Sequence, residues 1–185
     1  KSEIGSNAKL GATDDAAGNI TVTATNGGTF DAYSVGAALG LVGTGAGADA
    51  TVDLDGDTTA RIDANAVIYS DGDVVISAID QPDASSEAVG AALSAGYSLG
   101  LSLSQTLLDR NISTLVDNNA SVTGDSITLK AEMLKGSNNN ADSKAIAGSG
   151  GILVGAAGSS AVTKANVNVA ATTGSNAKLL GIQRT

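Results

Sequence analysis

Residues 72–78 have the sequence GDVVISA, and two related segments, GNITVTA at 18–24 and GDSITLKA at 124–131, lie on either side at similar distances. In each segment apolar residues alternate with other residues, which is typical of a β-strand with one buried face. The alternation predicts equivalent strands whose core ladder contains Val22, Ile76 and Leu129. This recurrence decides the fold, because the same strand returns along the chain at a nearly constant interval.

Two other motifs recur at the same interval and in the same order. VGAAL occupies 35–39 and 89–93, and the looser IAGSG occupies 146–150. The hexapeptide GSNAKL occupies both 5–10 and 174–179. Asn-Ala pairs begin at Asn7, Asn65, Asn119 and Asn176, and in each case an aliphatic residue follows after one intervening residue. Three motifs in one order indicate internal repeats of about 56 residues.

The pair spacings are 58, 54 and 57 residues (65 − 7, 119 − 65 and 176 − 119). They divide the chain into units at about 5–62, 63–116 and 117–173, with a partial unit at 174–185, in what we interpret as a single array cut from a longer solenoid.

A unit of this length cannot pair its own strand edges, whereas stacked units pair each backbone with the next at about 4.8 Å. The sequence therefore predicts an all-β protein, a parallel β-solenoid (β-helix) of about three repeats, with one large coil per unit. The alternative is a transmembrane or up-and-down β-barrel, which the scarcity of aromatic residues disfavours. In the solenoid, the four repeated asparagines would form a ladder at one corner. Alternatively, they are ordinary turn formers.

The longest alternation runs from Ala88 to Ser104 and separates small residues from large aliphatic ones. We expect the large face, which includes Val89 and Leu101, to form core. The small face would either admit another backbone layer or form an outer wall. The segments TNGG, DLDGD and DQPD have compositions typical of turns between strands.

Composition excludes several function classes. The chain has neither Cys nor His, so Ser-His and Cys-His catalysis and a typical zinc site are excluded, and we predict that it is not an enzyme. The net charge of −9 disfavours nucleic acid and acidic membrane surfaces as partners. The sequence contains no apolar run of 18 or more residues, so a membrane span is not expected.

One acidic cluster is a candidate metal site. Asp53, Asp55 and Asp57 lie in VDLDGDT, and carboxylates two residues apart in a tight turn can converge on Ca²⁺. The EF-hand pattern fails, because position six of the loop is Thr58 and position twelve is Ala64. The other interpretation is a solvated acidic turn. Calcium is the one cofactor that the sequence suggests.

The order Asn-Ala-x-aliphatic, then Gly-Asp with alternating aliphatics, then VGAAL resembles the β-strand repeats of very large bacterial surface and secreted proteins. These include filamentous-haemagglutinin-like adhesins and leukotoxin-like exoproteins. The resemblance implies an extracellular or cell-surface stalk or filament concerned with attachment, aggregation or biofilm. Its partners would be further copies stacked head to tail, the continuing chain, and a host or neighbouring cell surface. The alternative is a carbohydrate-binding or carbohydrate-active β-helix, which would have a groove lined by Asp with Arg or Lys.

Overall fold

The computed structural model describes residues 1–136 and 140–182, which contain β-strands and turns and no helix. The strands in chain order are β1 Ser2–Ile4, β2 Lys9–Leu10, β3 Ile20–Gly40, β4 Gly43–Ile62, β5 Val67–Tyr69, β6 Val74–Ser94, β7 Tyr97–Val116, β8 Ser121–Gly124, β9 Ile127–Met133, β10 Ala141–Gly151, β11 Val154–Thr173 and β12 Lys178–Gly181. Strands β3, β4, β6, β7 and β11 each contain 20 or 21 residues.

All strand pairs are parallel and belong to three open sheets. One long sheet has the order β1-β4-β7-β11, the other has β10-β6-β3 with β9 also paired to β6, and the short sheet has β12-β8-β5-β2. Ile20 pairs with Val74, and Val74 pairs with Ile127, so paired residues are 54 and 53 positions apart. Because this offset matches the sequence period, equivalent motifs of successive units lie side by side. The arrangement is consistent with a parallel β-solenoid.

The two long sheets face each other. The chain runs outward along β3, turns at residues 41–42 and returns along β4, and it repeats this path through β6 and β7 with a turn at 95–96. Strands β10 and β11 make the third such excursion, with a turn at 152–153. The short sheet connects the long sheets at the opposite end. We call the end with the short sheet the base, and the end with the three turns the tip.

An apolar core fills the base. Ile62, Ile68, Ile76 and Val122 are fully buried there. The predicted ladder lies within this core, since Val22 pairs with Ile76 and Ile76 pairs with Leu129. Burying each such side chain contributes about 1.5–3 kcal/mol.

The interior becomes polar between base and tip. Arg110 and Asp80 form a buried ion pair where the apolar core ends. Further out, Ser86 and Ser104 are buried and their hydroxyl oxygens lie 2.7 Å apart. The Ser104 hydroxyl also donates to the carbonyl of Ser86 across the interior. These bonds satisfy polar groups that would otherwise be costly to bury.

At the tip the two long sheets approach backbone to backbone. A Cβ placed on Gly36 would lie 1.9 Å from the carbonyl oxygen of Gly47, and one on Gly90 would lie 2.3 Å from that of Leu101. Ala92 and Ser102 are also buried. Only small residues fit inside the tip, because no space separates the two layers for a longer side chain.

This packing corrects the expected orientation of 88–104. The segment is two strands joined by the turn at 95–96, its small residues point inward, and its large residues point outward. Leu101 and Leu103 are about half exposed. The prediction that the large face forms core is therefore wrong, whereas the close approach of a second backbone layer to the small face is confirmed.

Three predicted turns are also wrong. TNGG lies inside β3, DLDGD inside β4 and DQPD inside β6. Pro82 has no N–H to donate to a ladder, and it lies where the next coil's strand is interrupted between β9 and β10. There the side-chain amide of Asn140 donates to the Pro82 carbonyl at 3.0 Å and to the Leu134 carbonyl at 2.8 Å.

Candidate functional surfaces

The repeated asparagines lie at equivalent turns of the base. Asn7, Asn65, Asn119 and Asn176 have φ angles of 59°, 61°, 58° and 58°. Each is the third residue of a four-residue turn, closed in the second unit by Ala66 N–H donating to the Asp63 carbonyl at 3.3 Å. A positive φ at this position selects Gly or Asn, as in a type II turn. The sequence therefore places asparagine where most side chains would be strained.

Hydrogen bonds join these turns from one coil to the next. The Asn65 N–H donates to the Asn118 carbonyl at 3.0 Å, and the Asn119 N–H donates to the Ser175 carbonyl at 3.0 Å. The side-chain amide of Asn176 also contacts that of Asn119 at 3.4 Å. The corner thus continues the backbone ladder of the sheets around a bend.

The acidic row lies on a flat strand. Asp53, Asp55 and Asp57 alternate along β4 and are all exposed on its outer face. Alternate residues of a strand are about 6.7 Å apart, whereas Ca²⁺ needs oxygens at about 2.4 Å. The calcium hypothesis assumed that these residues lie in a tight turn, and that assumption is wrong because they lie in β4. Within residues 1–136 and 140–182, no group of three or more acidic, His or Cys side chains is arranged to hold a metal ion.

The sheet neighbours of this row are Leu107, Asp109 and Asn111. Beside Asp53 the surface forms a hollow of about 270 Å³, which is lined in part by Leu107, Asp109 and Lys164. Asp55 pairs in the sheet with Asp109, which accepts a 3.2 Å hydrogen bond from the Asn166 amide. Asn168 donates in the same way to Asn111 at 2.9 Å. The result is a hydrophilic outer face on the base half of this sheet.

Two ends of the sheets carry backbone groups without a strand partner among the described residues. At one end, β3 pairs only with β6, and β1 covers only Ala60–Ile62 of β4. At the other end, β10 and β11 pair only with the preceding coil. Inward-facing apolar residues of β11 are uncovered there, so Val169 is 46 % exposed although its partner Ile112 is fully buried.

The outer surface of the tip is apolar on both faces and at the turns. Leu39 and Leu93 project from one long sheet, and Leu99, Leu101 and Leu103 project from the other. At the end of the tip, Leu41 is 86 % and Ile152 is 81 % exposed. Soluble monomers rarely expose contiguous apolar patches larger than a few hundred Å². Large aliphatic residues exposed on both faces and at the turns therefore mark the tip as a contact surface.

Charged residues mark the base-side boundary of this apolar surface on both long sheets. On the sheet that contains Leu103 the charged residue is Asp49, which is exposed and is the sheet neighbour of Leu103. On the other long sheet, Tyr33, Glu87 and Lys144 form one outward row across three coils, and the next row toward the tip is Val35, Val89 and Ile146. The Lys144 ammonium lies 2.8 Å from the Glu87 carboxylate. The hydrogen bond to Glu87 raises the pKa of Lys144 above its usual value.

Sequence reasoning missed the apolar tip surface, although a signal was present. Charged residues are absent from 32–48, 88–108 and 145–163, and each of these segments contains one of the tip turns. The described residues contain no helix long and apolar enough to cross a membrane. Comparisons with protein-family models, curated proteins and solved structures found no significant match.

Proposed function

We propose that this chain is a segment of a parallel β-solenoid of about three 56-residue repeats, and that it serves as a structural and adhesive stalk or filament outside a bacterial cell. Its coils stack end to end with those of further copies. The open sheet ends carry this proposal, because parallel edges with the same register are templates for another copy of the same unit.

Complementarity between the two ends supports end-to-end stacking. Among the described residues, both long sheets are open at both ends. The free edge of the last coil presents the same pattern of backbone donors and acceptors as the edge of the middle coil on which the last coil itself is stacked. The first coil of another copy could therefore pair with it. Val169 and Val167 lie inward on the last coil and remain exposed at its end. A stacked coil would bury them as their partners Ile112 and Arg110 are buried now.

The extracellular location is inferred from the resemblance of the repeats to bacterial surface and secreted proteins. The acidic surface and the absence of cysteine are compatible with that location. We propose no catalytic role. The hollow beside Asp53, which Asp109 and Lys164 also line, is the feature that favours the alternative of a carbohydrate-binding surface.

The test is the state of association of the 185-residue chain. Sedimentation velocity should detect elongated species whose length increases with protein concentration, and electron microscopy should show rods. Val169→Asp should prevent this association, because it buries an unpaired charge at each new junction. Thr172→Asp is the matched control, since Thr172 lies on the same strand, pairs with Leu115 and points outward.

Circular dichroism would establish that both variants retain the native strand content. A native chain that stays monomeric at all concentrations would overturn the proposal. So would a folded Val169→Asp variant that associates as well as the Thr172→Asp control.

A further inference from the structure

We infer that the tip inserts into the apolar core of a lipid bilayer. Its small and hydroxyl-bearing residues are inside and its large aliphatic residues are outside, which is the reverse of a water-soluble core. Lipid-exposed β-structure has this same arrangement, with apolar side chains facing outward.

Apolar residues are exposed on the outer faces of both long sheets and at the turns of the tip, and this distribution favours lipid over a second protein copy as the occupant. A second copy laid against one long sheet would cover Leu99, Leu101 and Leu103. It would leave Leu39 on the opposite sheet and Leu41 at the turn exposed to water. A bilayer surrounds an inserted wedge and covers both faces and the turns together.

The dimensions of the apolar surface fit this occupant. From Glu87 to the turn at 95–96, the seven residues 88–94 rise about 23 Å. One leaflet contributes about 15 Å of hydrocarbon, so the tip is long enough to pass through it. The row of Tyr33, Glu87 and Lys144 would then lie at the level of the headgroups, where tyrosine and charged groups are favoured.

The polar groups inside the tip are only partly satisfied within the protein. The Ser102 hydroxyl donates to the Ile146 carbonyl at 2.5 Å, whereas the buried Ser98 hydroxyl has no hydrogen-bond partner among the described residues and would gain none from lipid. The middle coil's backbone pairs with a neighbouring coil on each side. The open edges of the outer coils need a further partner in lipid, so insertion rests on the proposed end-to-end association.

The test uses the Cys-free chain to place one environment-sensitive fluorophore. Leu101→Cys carries it on the outer face of the tip, and Asp57→Cys carries it on the outer face of the base half as the matched control. With zwitterionic phosphatidylcholine vesicles, the label at 101 should shift to the blue and be quenched by a quencher attached to the lipid chains. The label at 57 should show neither change.

A second variant separates lipid binding from association. Leu99→Asp/Leu101→Asp should lower the vesicle-bound fraction in co-flotation about tenfold or more, because both carboxylates would enter hydrocarbon. It should still associate end to end, since neither residue points toward the coil junction. Thr51→Asp/Thr172→Asp adds the same charge at exposed outward positions elsewhere and should bind vesicles as the native chain does.

Native chain that associates but does not float with vesicles would overturn the lipid proposal and leave the stalk proposal standing. A native chain that binds no vesicles but forms oligomers that Leu99→Asp/Leu101→Asp disrupts would identify a second copy as the occupant instead. Chain that neither associates nor binds vesicles would overturn both proposals.

Discussion

Arg110 forms a two-pronged ion pair with Asp80 between the two long sheets. Its Nε lies 2.6 Å from Oδ2 of Asp80, and its Nη2 lies 3.0 Å from Oδ1. The side chains are only 8 % and 1 % exposed. In the sheet Arg110 pairs with Gly56 and Val167, so this charge occurs in the middle coil. Gly56 leaves room for the guanidinium, because a Cβ there would lie 3.0 Å from Nη1.

Removing one partner of this pair should destabilise the protein strongly. Arg110→Met leaves the Asp80 carboxylate buried without its counterion, and we expect the free energy of unfolding to fall by about 3–5 kcal/mol. Asp80→Leu/Arg110→Met removes both charges and should recover most of that loss. Denaturant unfolding of the native chain and both variants measures the difference. A double variant no more stable than Arg110→Met would contradict this account.

An exposed ion pair supplies the control. Lys144 and Glu87 lie 2.8 Å apart on the outer surface. Lys144→Met should change stability far less than Arg110→Met, because water screens exposed pairs. The comparison separates the effect of burial from the effect of losing a positive charge.

A pair of opposed glycines tests the close approach of the sheets. A Cβ on Gly100 would lie 2.3 Å from the Gly148 carbonyl oxygen, whereas a Cβ on Gly148 would meet nothing within 4 Å. Gly100→Ala should therefore cost about 1–3 kcal/mol of unfolding free energy through overpacking. Gly148→Ala should change it by no more than about 0.5 kcal/mol. Equal costs in thermal or denaturant unfolding would show that the layers are not in backbone contact at the tip.

The close approach of the two sheets at such glycines also explains which predictions from sequence succeeded and which failed. The register was predictable, because Val22, Ile76 and Leu129 are related by the repeat and by local alternation. Which face of 88–104 points inward was not predictable, because alternation defines two faces without saying which one is buried. Large residues usually point inward. Here the contact between Gly36 and Gly47 leaves no volume for them.

The turn signals failed for a related reason. Gly27 and Gly28 occur in a segment of turn composition, but pairing with Gln81 and Pro82 of the next coil extends the strand through it. Asp55 and Gly56 are held in β4 in the same way by Asp109 and Arg110. Pairing between coils 54 residues apart overrides local preference, and a short window of sequence does not contain that information.

The corner asparagines should tolerate glycine better than alanine. Asn65 has a φ of 61°, a region that costs an L-residue with a Cβ roughly 1–2 kcal/mol and costs glycine little. We expect Asn65→Ala to lower the free energy of unfolding by about 1 kcal/mol and Asn65→Gly to lower it by less than half of that. Denaturant unfolding measures both. If the Asn65→Ala variant were as stable as the Asn65→Gly variant, the conclusion that the backbone at residue 65 is strained for residues with a Cβ would be refuted.

The acidic row should be destabilising where two carboxylates adjoin. Asp55 and Asp109 are sheet neighbours on the exposed face, and like charges in that position repel. Asp55→Asn should therefore raise the free energy of unfolding by roughly 0.2–0.5 kcal/mol at low salt, and less at high salt. Calcium should raise the melting temperature no more than magnesium does at equal ionic strength. A calcium-specific rise that Asp55→Asn abolishes would restore this row as a metal site.

The orientation of the tip predicts opposite effects for two aliphatic residues that both lie on alternating strands of the middle coil. Ile76 is fully buried between Val22 and Leu129, so Ile76→Ala should cost about 2–5 kcal/mol through lost burial and the cavity that remains. Leu101 is 48 % exposed above a glycine-lined interior, so Leu101→Ala should cost less than about 1 kcal/mol in water. Denaturant unfolding without lipid compares them directly. If Leu101→Ala were as destabilising as Ile76→Ala, the large residues of 88–104 would be core, and the apolar tip surface would not exist in the free protein.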